Sequence, residues 1–312
     1  MKEYHLNYYS KFKCIAGDCK HTCCKGWDTY IDERTLNEYK NQTLPFKKSL
    51  EKGINFKKAR FKKDRAGRCA FLNGDGLCEI IINLGEQSLC QICNDHPRFK
   101  NFFNGQIETG LGFACERATA IILACEEKIE PMLISADNDA ISPSFVQERL
   151  LNFRQTALDI IQDRKVAINQ RIANLLSLCN AEICESDYKK IIKRFISFER
   201  LDKGWGERLK KLSKSNFLCQ TDERLALYCE HFLANCFYRH LNESADVVLG
   251  RAVVVACVFA WWIINNVYVR EQGENNRFES LCDIVRAFSA EVEYSQENLS
   301  KLFIFAEKFV NV

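Results

Sequence analysis

Nine of the chain's 17 cysteines crowd into the stretch from Cys14 to Cys115, and no other feature limits the fold so strongly. The first knot is Cys14, Cys19, Cys23 and Cys24, spaced C-x4-C-x3-C-C and followed by Gly26-Trp27. The second is Cys69, Cys78, Cys90 and Cys93, with His96-Pro97-Arg98 behind it and Cys115 further on. Their neighbours are Gly, Lys, Asp and Asn rather than aliphatic side chains, so burial as small hydrophobes explains few of them. Something other than a core has to hold them.

The N-terminus, Met1-Lys2-Glu3-Tyr4-His5, lacks the apolar core of a secretory signal, so a reducing, cytoplasmic setting is expected and disulfides are not. An odd cysteine total agrees with that. A net charge of +3 argues for no polyanionic partner. Locally, 40–68 holds eleven Lys or Arg against Glu51 and Asp64, yet few aromatics interleave them. The stretch reads as a solvated linker with some helix, and nucleic acid is not expected as a partner.

Two domains are expected: 1–125, loop-rich and metal-binding, and 126–312, an all-α bundle, in a chain that is mainly α. In the first, Asp32 is placed to cap a helix carrying Leu36 and Tyr39, and Leu77–Leu84 reads as a short buried helix ended by Gly85. Beyond Cys115 the apolar residues recur at helical spacing. Stripes run through Ala118, Ile121, Ile122, Cys125 and Ile129, through Val146 to Ile161 behind Pro143, and on to one capped by Ser295. Ala252–Ile264 is apolar without a break, but shorter than the roughly 20 residues that cross a bilayer, so it reads as a central bundle helix and no membrane is implied. Cys179, Cys184, Cys219, Cys229, Cys236, Cys257 and Cys282 are too dispersed for a site and read as core filler.

Three chemistries suit the nine clustered cysteines. Structural zinc takes four ligands from paired units such as Cys90-x2-Cys93 with Cys23-Cys24 or Cys14-x4-Cys19. An iron–sulfur cluster also takes four thiolates and accepts irregular spacing. Redox thiols fit least, because Cys90-Gln91-Ile92-Cys93 lacks the strand-to-helix setting of a thioredoxin-like motif. Nine donors exceed one centre's needs, so either two centres form or some cysteines stand by. His21 and His96 are further possible ligands. Phosphate-binding, zinc-protease and serine-hydrolase signatures are absent. Glu108–Ala114 superficially resembles the Gly-rich loop of Rossmann-like methyltransferases, but Asn101–Gln106 before it does not read as a buried strand.

The order of these motifs resembles the CxxCxxCC zinc- or iron-chelating family. Within that family, Cys-Cys-x-Gly-Trp at 23–27, Leu89-Cys90-x-x-Cys93 with Pro97-Arg98, and Cys115-Glu116 are similar to the flagellin lysine N-methylases. The resemblance covers about residues 5–125. It implies a cytoplasmic enzyme that methylates the ε-amino group of lysines on flagellin, using S-adenosylmethionine and a 4Fe-4S cluster, with zinc the alternative metal. Residues wedged between the cysteines are the candidates for catalysis: Asp28 or Asp95 to orient the lysine, Arg98 to hold the cofactor's carboxylate, and Trp27 to face its sulfonium. The structural alternative makes Trp27 a core anchor, the two acids turn caps and Arg98 a salt-bridge partner. A second functional reading is a metal-holding protein that handles or is supported by its metal without turnover.

Overall fold

In chain order the elements are β1 (Lys2–Leu6), α1 (Glu33–Lys40), α2 (Lys47–Gly53), β2 (Ile54–Asn55), β3 (Arg60–Phe61), α3 (Glu79–Leu84), α4 (Gln91–Asp95), β4 (Arg98–Phe103), β5 (Gln106–Leu111) and α5 (Glu116–Leu123). There follow β6 (Pro131–Ala136), α6 (Phe145–Ile161), α7 (Ile168–Leu178), α8 (Tyr188–Ile196), α9 (Lys203–Leu212), α10 (Glu223–His240), α11 (Val247–Glu271), α12 (Arg277–Phe288) and α13 (Gln296–Glu307). The computed structural model describes residues 1–43, 45–137, 142–218, 221–271 and 277–311. It divides into two units, one of Met1–Phe12, Phe99–Ala114 and Ala118–Val312, the other of Lys13–Arg98 and Cys115–Arg117. The chain is mainly α, as its periodicity predicts.

The larger unit is built on α11. Its residues from Ala252 to Ala260 are all buried, and α6, α7, α10, α12 and α13 pack around it. By length and composition this helix could cross a bilayer, but 72% of its most apolar window is buried inside the protein. Helix starts follow the sequence: Asp222 accepts from the Leu225 amide at 2.7 Å, and Ser295 from the Asn298 amide at 3.3 Å. At α6 the cap is Ser144, in a reciprocal box with Gln147, so Pro143 lies one residue outside the helix rather than in its first turn.

One part of this unit is not helical. Four strands in the order β4-β5-β1-β6 form a sheet, with β1 parallel to β5 and antiparallel to β6. The helical stripe that starts at Ala118 therefore ends at Leu123. Cys125 and Ile129 are buried beyond the helix, and Pro131 opens a strand on the free edge of β1. Asn101–Gln106 likewise belongs to β4, its turn and the first residue of β5. The glycines of the 108–114 run are accounted for by packing. A Cβ on Gly110 would lie 2.5 Å from Phe99, and one on Gly112 would lie 2.3 Å from Arg239 Nη1, so protein side chains fill the space a cofactor would need. Of the dispersed cysteines, Cys179, Cys229, Cys236, Cys257 and Cys282 are buried, Cys184 is exposed, and Cys219 lies outside the described residues.

Among the described residues, the buried carboxylates of this unit are partnered. Glu230, 1% exposed, accepts from Arg164 at 2.8 Å and Arg171 at 2.9 Å. A π-helical turn at Ser289–Glu293 carries Glu291, which takes Arg200 at 2.9 Å, and Glu293, which takes His240 at 2.7 Å. Each buried carboxylate thus meets a cation or a hydrogen-bond donor, as desolvation of an ion requires.

The smaller unit has its own core of Ile31, Leu36, Tyr39, Phe46, Leu50, Ile54, Phe61, Phe71, Ile80 and Cys90. In α3 only Ile80 is buried, while Ile81 and Ile82 are exposed, so that helix rests on the core by one side chain and is not enclosed.

Candidate metal centre and active site

Backbone pairing in the smaller unit joins the two cysteine knots. The Cys69 amide donates to the Cys24 carbonyl at 2.8 Å, the Gly26 amide to Gly67 at 3.0 Å, and the Phe61 amide to Thr29 at 3.1 Å. Gly26 has a φ of +97° with open space around its missing Cβ, so glycine is there for its backbone conformation. Asp32 ties in the third piece. One carboxylate oxygen accepts from the Thr35 amide at 3.0 Å, capping α1, and the other from the Gln91 amide at 2.8 Å, at the first residue of α4. That second bond fixes Cys90 and Cys93, which flank Gln91. Burial raises the Asp32 pKa, but the amide bonds from Gln91 and Thr35 outweigh it and hold it below the ordinary carboxylate value.

The thiols fall into two sets. Cys69, Cys78 and Cys93 pack half-buried against the core beside buried Cys90, and Cys24 joins them through its carbonyl. Cys14, Cys19, Cys23 and Cys115 lie outside that core, Cys23 hydrogen-bonded to Cys24, and the loop at Cys19 is held by Glu116. Its Oε2 accepts from the amides of Lys20 at 3.0 Å and His21 at 3.2 Å, and lies 3.7 Å from Cys19 Sγ. Sequence reading noted Glu116 only as the neighbour of Cys115. A first-turn acid that takes amides from a distant loop leaves no periodic signal.

Electrostatics make these thiols hard to ionise together. Cys23 and Cys24 share a hydrogen bond, which holds Cys24 down to about 7 and pushes Cys23 up. Cys90 and Cys93 repeat the arrangement, with Cys90 lowered and Cys93 raised. Burial pushes Cys69 up to about 12 and Cys19 to about 11, the Glu116 carboxylate adding to the latter. Each pair yields one thiolate readily and a second only with a compensating positive charge, which a metal supplies. Among the described residues no three His, Cys, Asp or Glu side chains already stand around one point as a metal site. The fit is one of donor chemistry: clustered soft sulfur ligands on short loops and helix starts.

The other candidates each have a structural occupation. Trp27 Nε1 donates to the Cys23 carbonyl at 2.5 Å, and its ring lies 6.1 Å from that of His96, bringing residues behind both knots together. Asp28 pairs with Arg60 at 2.8 Å and Lys63 at 2.7 Å, and hydrogen bonding to Lys63 lowers its pKa. Asp95 accepts from Gln91 at 2.5 Å within α4, and Arg98 Nη1 donates to the Asn94 carbonyl at 3.0 Å.

No family model and no solved structure matches the chain. It is 29% identical over 124 residues to the lysine-N-methylase of Salmonella typhimurium, a match covering 37% of this chain and 31% of the relative. The lysine-N-methylase of Salmonella choleraesuis matches at 28% over the same length. The flagellar biosynthetic protein FliU of Salmonella muenchen matches at 29%, over 73% of its own length. In its matching stretch this chain is similar to the lysine-N-methylases, and it spans about a third of their length.

Proposed function

We propose that the protein is a protein-lysine N-methyltransferase that takes its methyl group from S-adenosylmethionine and acts on flagellin. The observation that carries this reading is the similarity to proteins named lysine-N-methylase. Flagellin as the substrate rests on the flagellar name of the third relative.

In this chemistry the neutral lysine nitrogen attacks the sulfonium methyl in line. The new C–N bond forms as the C–S bond breaks, and the electron pair leaves on sulfur, giving S-adenosylhomocysteine. An amine of ordinary pKa about 10.4 must first lose a proton, so a general base and a dry pocket are needed. Asp28, held low by two cations, is a poor base and suits electrostatic positioning of an ammonium group. Asp95, at the end of α4 beside Cys93, is the other carboxylate proposed to orient the lysine. Trp27 can place a π face against the cofactor's cationic sulfur, and Arg98 can pair with its carboxylate.

The inner thiols, Cys24, Cys69, Cys78, Cys90 and Cys93, are the proposed holders of a 4Fe-4S cluster, with zinc the competing occupant. Bound there, an iron cluster would supply a Lewis-acidic or redox-active iron.

The test is methyl transfer from labelled S-adenosylmethionine to purified flagellin by anaerobically prepared protein, read by mass spectrometry of the flagellin lysines. Transfer that falls in Asp95→Asn and Arg98→Gln while metal content is kept supports the assignment. Metal-replete protein that transfers no methyl group to flagellin supports the metal-holding alternative instead.

A further inference from the structure

The basic stretch 40–68 is not a linker. It folds as α2, the β2–β3 hairpin and the strand-like run beyond it, and the Lys62 amide donates to the Gly53 carbonyl at 2.8 Å to close the piece on itself. Lys48, Lys52, Lys57, Lys58, Lys62 and Arg65 are exposed, and among the described residues no ion pair engages them. Of the two acids in the stretch, Asp64 Oδ1 is used up by the amides of Ala66 at 2.8 Å and Arg68 at 2.9 Å. Glu51 and Asp64 together leave the six cations in clear excess. Natural surfaces intersperse the two signs, because a one-sign field repels itself.

This face also adjoins the candidate site. Residues 59–69 run antiparallel to 24–31, with Lys25 opposite Arg68, Tyr30 opposite Arg60, and the Ile31 amide bonded to the Ala59 carbonyl at 2.7 Å. Asp28, just behind the first knot, is clasped by Arg60 and Lys63 from the same run. A partner lying on the basic face therefore passes beside Trp27 and Cys24.

Resting on the proposed lysine methylation, we infer that this face binds an acidic protein segment, and that the enzyme selects lysines flanked by Asp and Glu. The field would draw such a segment in and hold its carboxylates while the target lysine reaches the residues behind the first knot. Nucleic acid fits less well. Phe46 and Phe61 belong to the core and Phe56 is half-buried, leaving exposed Tyr30 and half-buried Trp27 beside the face, where base stacking calls for several exposed rings.

Fluorescence anisotropy on the full chain, without methyl donor, tests this with three probes: a labelled peptide with one lysine among Asp and Glu, the same peptide with Asn and Gln, and a single-stranded oligothymidylate. The acidic peptide should bind about 10-fold tighter than its amide counterpart and weaken as salt rises. Lys57→Glu with Lys58→Glu and Lys62→Glu should abolish that preference, and the corresponding Gln triple should halve it or more, with circular dichroism confirming the fold. Equal binding of the two peptides, an unchanged preference in both triples, or tighter binding of the oligothymidylate overturns the inference. Because binding is read without turnover, flagellin methylation with no acidic preference would sink only this inference, whereas acidic preference without methylation would sink only the catalytic reading.

Discussion

The amide of Cys69 donates to the carbonyl of Cys24 at 2.8 Å, so the two cysteine knots, 45 positions apart in sequence, are neighbours through their backbones before any metal is considered. Cys24 and Cys69 are thereby brought together by strand-like pairing, while Asp32 ties in Cys90 and Cys93 through the Gln91 amide.

That gathering predicts an unequal response to cysteine replacement. Cys24→Ser, Cys69→Ser and Cys90→Ser should each strip most of the iron and sulfide and bleach the visible thiolate-to-iron absorption. Cys14→Ser should leave all three near the wild-type level. Stoichiometric zinc without iron in the wild-type protein would sink the iron assignment.

Asp32 serves two helix starts with one carboxylate. Asp32→Ala should destabilise the smaller unit by about 1–2 kcal/mol, measured by chemical denaturation, with Asp32→Asn closer to wild type. The folded pKa of Asp32 is depressed. Its contribution is therefore full above the unfolded carboxylate value and is lost as pH falls through the folded one.

In the larger unit, Glu293 is held down to about 2, where Arg239 and His240 outweigh burial, and burial also lowers His240. Both folded pKa values lie below the unfolded ones, so the unfolded chain takes up protons first. Stability should fall as pH drops below about 6.5 for the histidine, and again from about 4.5 toward 2 for the glutamate. Glu293→Gln should remove the lower step and cost about 3–5 kcal/mol at pH 7, because Arg239 is left buried without its counter-ion. Thermal midpoints from pH 3 to pH 8 for both proteins check the sign.

Glu230 lies between Arg164 and Arg171 in the same unit, and either cation alone leaves it paired. Glu230→Gln should cost about 3–5 kcal/mol, and Arg164→Gln, at the more exposed partner, distinctly less. Equal losses in urea titrations would show that the exposed pair matters as much as the buried one.

The helices of the larger unit were legible because each writes its period and its cap into consecutive residues, as Asp222 and Ser295 do. Strand β6 was not, since Pro-Met-Leu-Ile-Ser-Ala has no alternation, and its extended form comes from pairing with β1 more than 120 residues earlier. In the smaller unit the cysteines and Asp32 announced themselves by type and spacing. What spacing could not show was the second role of Asp32 at α4, the reach of Glu116 to residues 19–21, or the cations that occupy Asp28. All three are contacts between distant positions, which no local pattern records.

The parallel pairing of β1 with β5 sets Lys2 opposite Gln106, so the first strand made is completed only after about a hundred further residues have been added. During synthesis β1 has to wait, and the strand it waits for lies beyond the whole run of cysteines from Cys14 to Cys93. The entropy of closing such a loop grows only with the logarithm of its length, so a disordered, metal-starved insert would burden that closure little more than a folded one. If these cysteines hold a metal as proposed, withholding it should leave chains whose helical bundle is built and protease-resistant while the inserted segment is still cleavable. Such chains would be repairable intermediates rather than waste.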